Sequence, residues 1–164
     1  MFKLTGIFLI LTADFFIVKF ILDKKTRELS FLRDCISFLK NISIEIIDFK
    51  KPLYEAIVMN KTAVSCEIDE LIDKFTLKNA SPREGITDAV NDNSILDNSA
   101  KKVITEYLNI VGRTTKEGMG DYLSVTIKSL EYIISEKTEK IKTTKKTVNA
   151  TVYSLSVLFV ILII

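Results

Sequence analysis

The chain has 164 residues, 48% hydrophobic and 27% charged, with a formal net charge of +2. That mixture is too apolar for a disordered tail and too charged for a polytopic membrane protein. Histidine is absent, which excludes a histidine-based catalytic triad and a histidine-ligated zinc cage.

The apolar excess sits at the two ends. Residues 4–22 (LTGIFLILTADFFIVKFIL) would form a helix about 28 Å long, close to the hydrocarbon thickness of about 30 Å. They are read as a retained transmembrane helix. A cleavable signal peptide is disfavoured because Asp14 interrupts the run early, no small-residue cleavage site follows, and the apolar pattern resumes after it. Asp14 is expensive in lipid and is the candidate for an intramembrane contact with a partner helix. Lys19 is off the three-or-four spacing that would pair it with Asp14, and snorkels toward the basic boundary instead. Lys24, Lys25, Arg27 and Arg33 follow this run.

From Leu29 the positions Leu32, Ile36, Leu39 and Ile46 recur at helical spacing, with Ser43 in the missing place. Phe31, Cys35, Phe38, Ile42 and Phe49 form a second stripe beside it. Ile44 and Ile47 then make the helix end apolar nearly all round, as expected of the central helix of a bundle. "KKP" at residues 50–52 is read as a tight corner, with Pro52 suited to the first turn of a helix over 52–59. A further helix is predicted over about 65–77. Ser81, Pro82 and Glu84 form a capping box that starts a helix to about Val90. After the polar loop "NDNSILDNS", a helix over 100–111 ends at Gly112, and "GRTTKEGMG" supplies a break with three glycines. The last domain helix starts near Asp121, with Leu123, Ile127, Leu130 and Ile134 facing inward. From 135 to 149 it becomes a lysine-rich stalk, carrying Lys137, Lys140, Lys142, Lys145 and Lys146, and leads into a second apolar run, ATVYSLSVLFVILII, at 150–164.

No segment alternates as a strand would. The fold class is therefore all-α: an antiparallel bundle of about six helices between an N-terminal and a C-terminal transmembrane helix. The domains are a transmembrane helix over 4–22, a helical bundle over 23–134, a stalk over 135–149 and a transmembrane helix over 150–164. With Lys3 alone beyond the first run, the positive-inside rule places the central domain in the cytoplasm and both termini outside. Cys35 and Cys66 would then be reduced and packed as small apolar groups. The lysine-rich junctions suit anionic headgroups, and the lack of interleaved aromatics argues against nucleic acid. No phosphate loop, nucleophile motif or paired-carboxylate signature is present, so no catalytic, cofactor-binding or metal-binding residue is assigned and no enzyme activity is expected.

The "KLTGIFLIL" start, "RELSFLRDCISFLKNISIEIIDFKKPLYEA", "YLNIVGRTTKEGMGD" and the lysine-rich entry to a terminal apolar run resemble the stage III sporulation protein AB family over essentially the whole chain. The most specific part is Leu32 and Arg33, Glu45 and Ile46, and Pro52, Leu53, Glu55 and Ala56. The chain departs from the family in lacking tryptophan and in a longer glycine loop, with Val125 where a glutamine would stand. The resemblance implies a cytoplasmic domain similar to that of the type II secretion system F protein. It also implies a place in the channel joining mother cell and forespore, as a platform for the companion ATPase of the same operon and for other membrane subunits. A two-anchor membrane sensor is the alternative from another class. Arg33, Glu45, Pro52 and Glu55 are the candidate partner-binding residues. A carboxylate amid isoleucines must be paired or neutralised, so Glu45 is either a structural ion pair or part of a binding groove.

Overall fold

The computed structural model describes the backbone over residues 2–77 and 81–163; the side chains of residues 2–11, 13–15, 17, 21, 149, 153 and 155–163 lie outside the description. The chain forms α1 (Phe2–Ile47), α2 (Leu53–Val58), α3 (Cys66–Leu77), α4 (Pro82–Asn91), α5 (Asn98–Ile110) and α6 (Lys116–Ile163), and there is no strand among the described residues. The fold is all-α. It divides into two compact units, Glu28–Ser135 and the pair Met1–Arg27 with Glu136–Ile164.

The end segments run into the domain helices without a break. α1 contains both the first apolar run and the first domain helix, and α6 contains the last domain helix, the stalk and the final apolar run. The reason is local: no glycine or proline lies between residues 22 and 28, or between 135 and 150, to interrupt the hydrogen-bond ladder. Among the described residues no helix is long and apolar enough to cross a membrane. The expected spans at 4–22 and 150–164 carry mostly side chains outside the description, and so does Asp14.

The Glu28–Ser135 unit has its own core. Both stripes of α1 are buried in it through Phe31, Leu32, Cys35, Ile36, Phe38, Leu39 and Ile42. They meet Ile57 of α2, Leu71 and Ile72 of α3, Ile86 and Val90 of α4, Ile104 and Leu108 of α5, and Leu130 of α6 in one cluster. α3 packs on α4, and α4 packs on α5 and α2. Ser43 fills its place in the stripe with a hydrogen bond, its hydroxyl lying 2.6 Å from the Tyr107 hydroxyl of α5. Two neutral hydroxyls satisfy each other there, and neither is left orphaned in the core. Burial pushes the Tyr107 hydroxyl up from its ordinary value, against the opposing effect of the Ser43 hydrogen bond.

Phe49 departs from its expected stripe. α1 ends at Ile47, and Lys50 takes a left-handed backbone with φ of 54°, so Phe49 turns outward and is 63% exposed. Ile44 is exposed as well, so the end of α1 is not apolar-packed all round but has an outward side. Pro52 stands as the N-cap of α2, with φ of −64° and ψ of 150°. Its ring removes a donor where no intrahelical partner exists.

The caps explain the other boundaries. Ser81 Oγ accepts from the Glu84 N–H at 3.4 Å and donates to Glu84 Oε2 at 2.8 Å, with Pro82 at the first helical position. α5 begins two residues before its predicted start because Asp97 Oδ1 accepts from the Ala100 N–H at 2.9 Å. α6 starts at Lys116 rather than near Asp121. Of its neighbouring glycines, Gly112 has the positive φ, 76°, needed to leave α5, whereas Gly118 lies inside α6, where a Cβ would stand 2.5 Å from Thr114 Oγ1. The buried Met119 fixes this first turn against the core. Cys35 is buried, as an apolar packer should be, and burial pushes its thiol up; Cys66, at the exposed start of α3, does not pack that way.

Candidate partner-binding site

Glu45 lies before the α1–α2 turn, with Pro52 and Glu55 after it, and the contacts at this corner are made by Lys51. Lys51 Nζ lies 2.6 Å from Glu45 Oε2. At that distance the ammonium and this shielded carboxylate oxygen form a contact ion pair. The same ammonium donates to Met59 Sδ at 3.0 Å and stands 5.4 Å from the centroid of the Phe49 ring. The Lys51 N–H also donates to the Glu45 carbonyl at 3.1 Å, which closes the open end of α1. Lys51 therefore ties helix end, turn and α2 together at one point.

Glu45 is thus paired with the turn that follows its own helix, not with a neighbouring helix. With side-chain exposures of 24% and 27%, the pair is neither buried nor fully solvated. Pro52 and Glu55 are exposed on α2 beside it. Arg33 is exposed too, but it sits twelve residues earlier on α1, about 18 Å along the axis. It is not part of the corner.

Around the pair the surface is apolar. Ile44, Phe49, Tyr54 and Met59 are 47–63% exposed, and the Tyr54 ring rests against Phe75 of α3 at 5.5 Å between centroids. On one side a groove of about 230 Å³ is lined by Lys40, Ser43, Ile44, Ile47, Asp48 and Leu123. Lys116 of α6 closes its edge through an ion pair with Asp48 at 3.1 Å. Large apolar side chains grouped at a charged rim have the composition of a protein-binding surface.

A second cation organises the end of another helix. Arg83 of α4 donates through Nη1 to the Leu108 and Asn109 carbonyls, both at 2.7 Å, and through Nη2 to the Val111 carbonyl at 2.9 Å. Its guanidinium caps the C-terminus of α5, where unpaired carbonyls and the negative end of the helix dipole favour a cation. Burial lowers its pKa, with the nearby Arg113 adding to the effect. A cleft of about 520 Å³ opens beside it, lined by Pro82, Thr87, Asn109 and Arg113 among others. No sequence spacing announces this contact, because Arg83 and its acceptors lie 25 to 28 residues apart.

Among the described residues no group of three histidine, cysteine or acidic side chains is placed to hold a metal ion. The chemistry of the corner is that of recognition: an ion pair, exposed aromatics and a shallow groove. The model of the family described as stage III sporulation protein AB matches residues 3–164. The chain belongs to that family. No curated protein and no solved structure matches it. Of the residues that carry the resemblance to the stage III sporulation protein AB family, Glu45, Pro52 and Glu55 flank the turn organised by Lys51, whereas Arg33 stands apart from it.

Proposed function

We propose that the chain is a non-catalytic platform subunit of a sporulation channel, a secretion-like complex linking mother cell and forespore. Residues 4–22 and 150–164 anchor it in the membrane around the forespore, with the bundle in the cytoplasm and the lysine-rich junctions against anionic headgroups. On the family resemblance, the bundle is the counterpart of the cytoplasmic domain of the type II secretion system F protein. Asp14 meets other membrane subunits within the bilayer.

The observation that carries this reading is the α1–α2 corner, where Ile44, Phe49, Tyr54 and Met59 stay exposed around the Glu45–Lys51 pair. A folded domain with a filled core leaves such a group open at the cost of apolar hydration, which a partner surface would recover. The companion ATPase of the same operon docks there. The charged pair sets the register of docking and the apolar side chains supply the area.

The test is capture of that ATPase by the full chain in detergent. Phe49→Asp should lower the captured fraction at least tenfold, about 1.4 kcal/mol, with an unchanged melting curve. Undiminished capture by that variant would remove the corner as the docking face. Resistance of the chain to carbonate extraction from membranes tests the anchors separately.

A further inference from the structure

Nine basic residues lie in the unit formed by Met1–Arg27 and Glu136–Ile164 in the stretches 19–27 and 137–146, and they are not equivalent. Lys140 is paired with Glu136, and Lys142 with Glu139 at 2.9 Å, each within one turn of α6. Arg27 and Lys137 also have partners. Lys25 Nζ donates to Thr144 Oγ1 at 3.3 Å, which sets α1 and α6 side by side at this level of the unit. Lys24, Lys145 and Lys146 flank that contact in sequence, and Lys19 precedes it by one to two turns of α1. All four are exposed and have no ion pair among the described residues. Asp23, exposed beside Lys24, is likewise unpaired among the described residues, leaving four ammoniums against one carboxylate.

The division follows the chain's hydropathy. On α6 the carboxylates accompany the lysines over residues 136–142 and stop at Glu139, while Lys24, Lys145 and Lys146 stand just outside the apolar runs that end at Leu22 and begin at Ala150, and Lys19 lies inside the first of them. The polar side chains between are already spent on the helix. Thr26, Thr143, Thr144 and Thr147 each donate to the carbonyl four residues back, so none needs an outside acceptor. Four ammoniums remain against the single Asp23 carboxylate.

We infer that Lys19, Lys24, Lys145 and Lys146 form a collar that binds anionic phospholipid headgroups. This deepens the anchored reading above and rests on it. Phosphate is the acceptor that fits: long lysine stems run along apolar surface while their heads reach the interface, and an anionic leaflet attracts each of them. Lys140 and Lys142 take no part, because their charge is matched within the helix.

The full chain, reconstituted in phosphatidylcholine vesicles, is probed by electron spin resonance with spin-labelled phosphatidylglycerol and spin-labelled phosphatidylcholine. The motionally restricted fraction should favour phosphatidylglycerol by about two- to fivefold, and salt at about 1 M should abolish the preference. Lys→Gln at all four positions should bring the ratio to about one, Lys→Arg at the same four should keep it, and the Lys140→Gln, Lys142→Gln double variant should keep it. Equal association of the two lipids overturns the collar, as does a loss in the double variant as large as in the fourfold one. If the fourfold glutamine variant does not reconstitute, the salt titration of the unaltered chain decides. Carbonate extraction separates the two claims: an extractable chain overturns the anchored reading and the collar with it, whereas a retained chain without lipid preference overturns the collar alone.

Discussion

Two helix ends in the Glu28–Ser135 unit are each closed by a cation, and they are closed differently. At the end of α5, Arg83 reaches across from α4 and satisfies three backbone carbonyls. At the end of α1, Lys51 folds back on the turn it belongs to and touches side chains: Glu45, Met59 and the Phe49 ring. The first arrangement spends its donors on backbone carbonyls of α5. The second holds a carboxylate and exposed apolar side chains in a fixed place on the surface. A cap made to the backbone serves the fold, and a cap made to side chains displays them.

The comparison breaks most readily at Arg83. Arg83→Ala removes three charge-assisted hydrogen bonds and should destabilise the bundle by about 2–3 kcal/mol, read in chemical denaturation, while the folded fraction still captures the ATPase. A small effect would mean that water replaces the guanidinium, and the α5 end would then be no more sealed than the α1 end. On the buried side of α1, Tyr107→Phe strands the Ser43 hydroxyl in the core and should lower stability by about 1–2 kcal/mol, again without touching capture. Gly112→Ala should lower it by about 1 kcal/mol through the left-handed backbone alone, since a Cβ there would meet nothing within 4 Å.

A pH series sharpens the same contrast. Burial raises both the Cys35 thiol and the Tyr107 hydroxyl, so both stay neutral in the folded bundle where the unfolded chain begins to ionise. Their stabilisation is complete below the unfolded values of about 8.5 and about 10, and is lost as pH rises from there toward the raised folded values. Melting temperature should therefore fall with pH above about 8.5, and Cys35→Ala should remove the part of that slope below about pH 10. At the corner, Glu45→Ala should change stability by less than about 1 kcal/mol, since the pair is partly exposed and screened.

Periodicity located the core because burial on α1 follows the helical repeat: Phe31, Leu32, Cys35, Ile36, Phe38, Leu39 and Ile42 all face inward. Capping chemistry located the start of α4, and proline the start of α2, because those signals act within four residues. The same signals failed where geometry intervened. Phe49 continued the stripe in sequence, but the helix stopped two residues earlier, and the turn at Lys50 reversed its direction. Glu45 was recognisable as a carboxylate requiring a partner, yet its partner lies six residues on, beyond any helical spacing rule. Arg83 offered no signal, since its acceptors are backbone groups on another helix. Arg33 shared the motif of the corner without sharing its place, because about three turns of α1 separate them.

The central claim is that the Glu45–Lys51 pair displays a docking face and does little to hold the fold. Capture of the companion ATPase by full-length Glu45→Ala chain, with its melting curve measured on the same sample, tests it most directly. The account predicts at least a tenfold loss of capture, about 1.4 kcal/mol, and a melting temperature within a few degrees of the unaltered chain. Undiminished capture, or a loss of capture accompanied by unfolding, would contradict it.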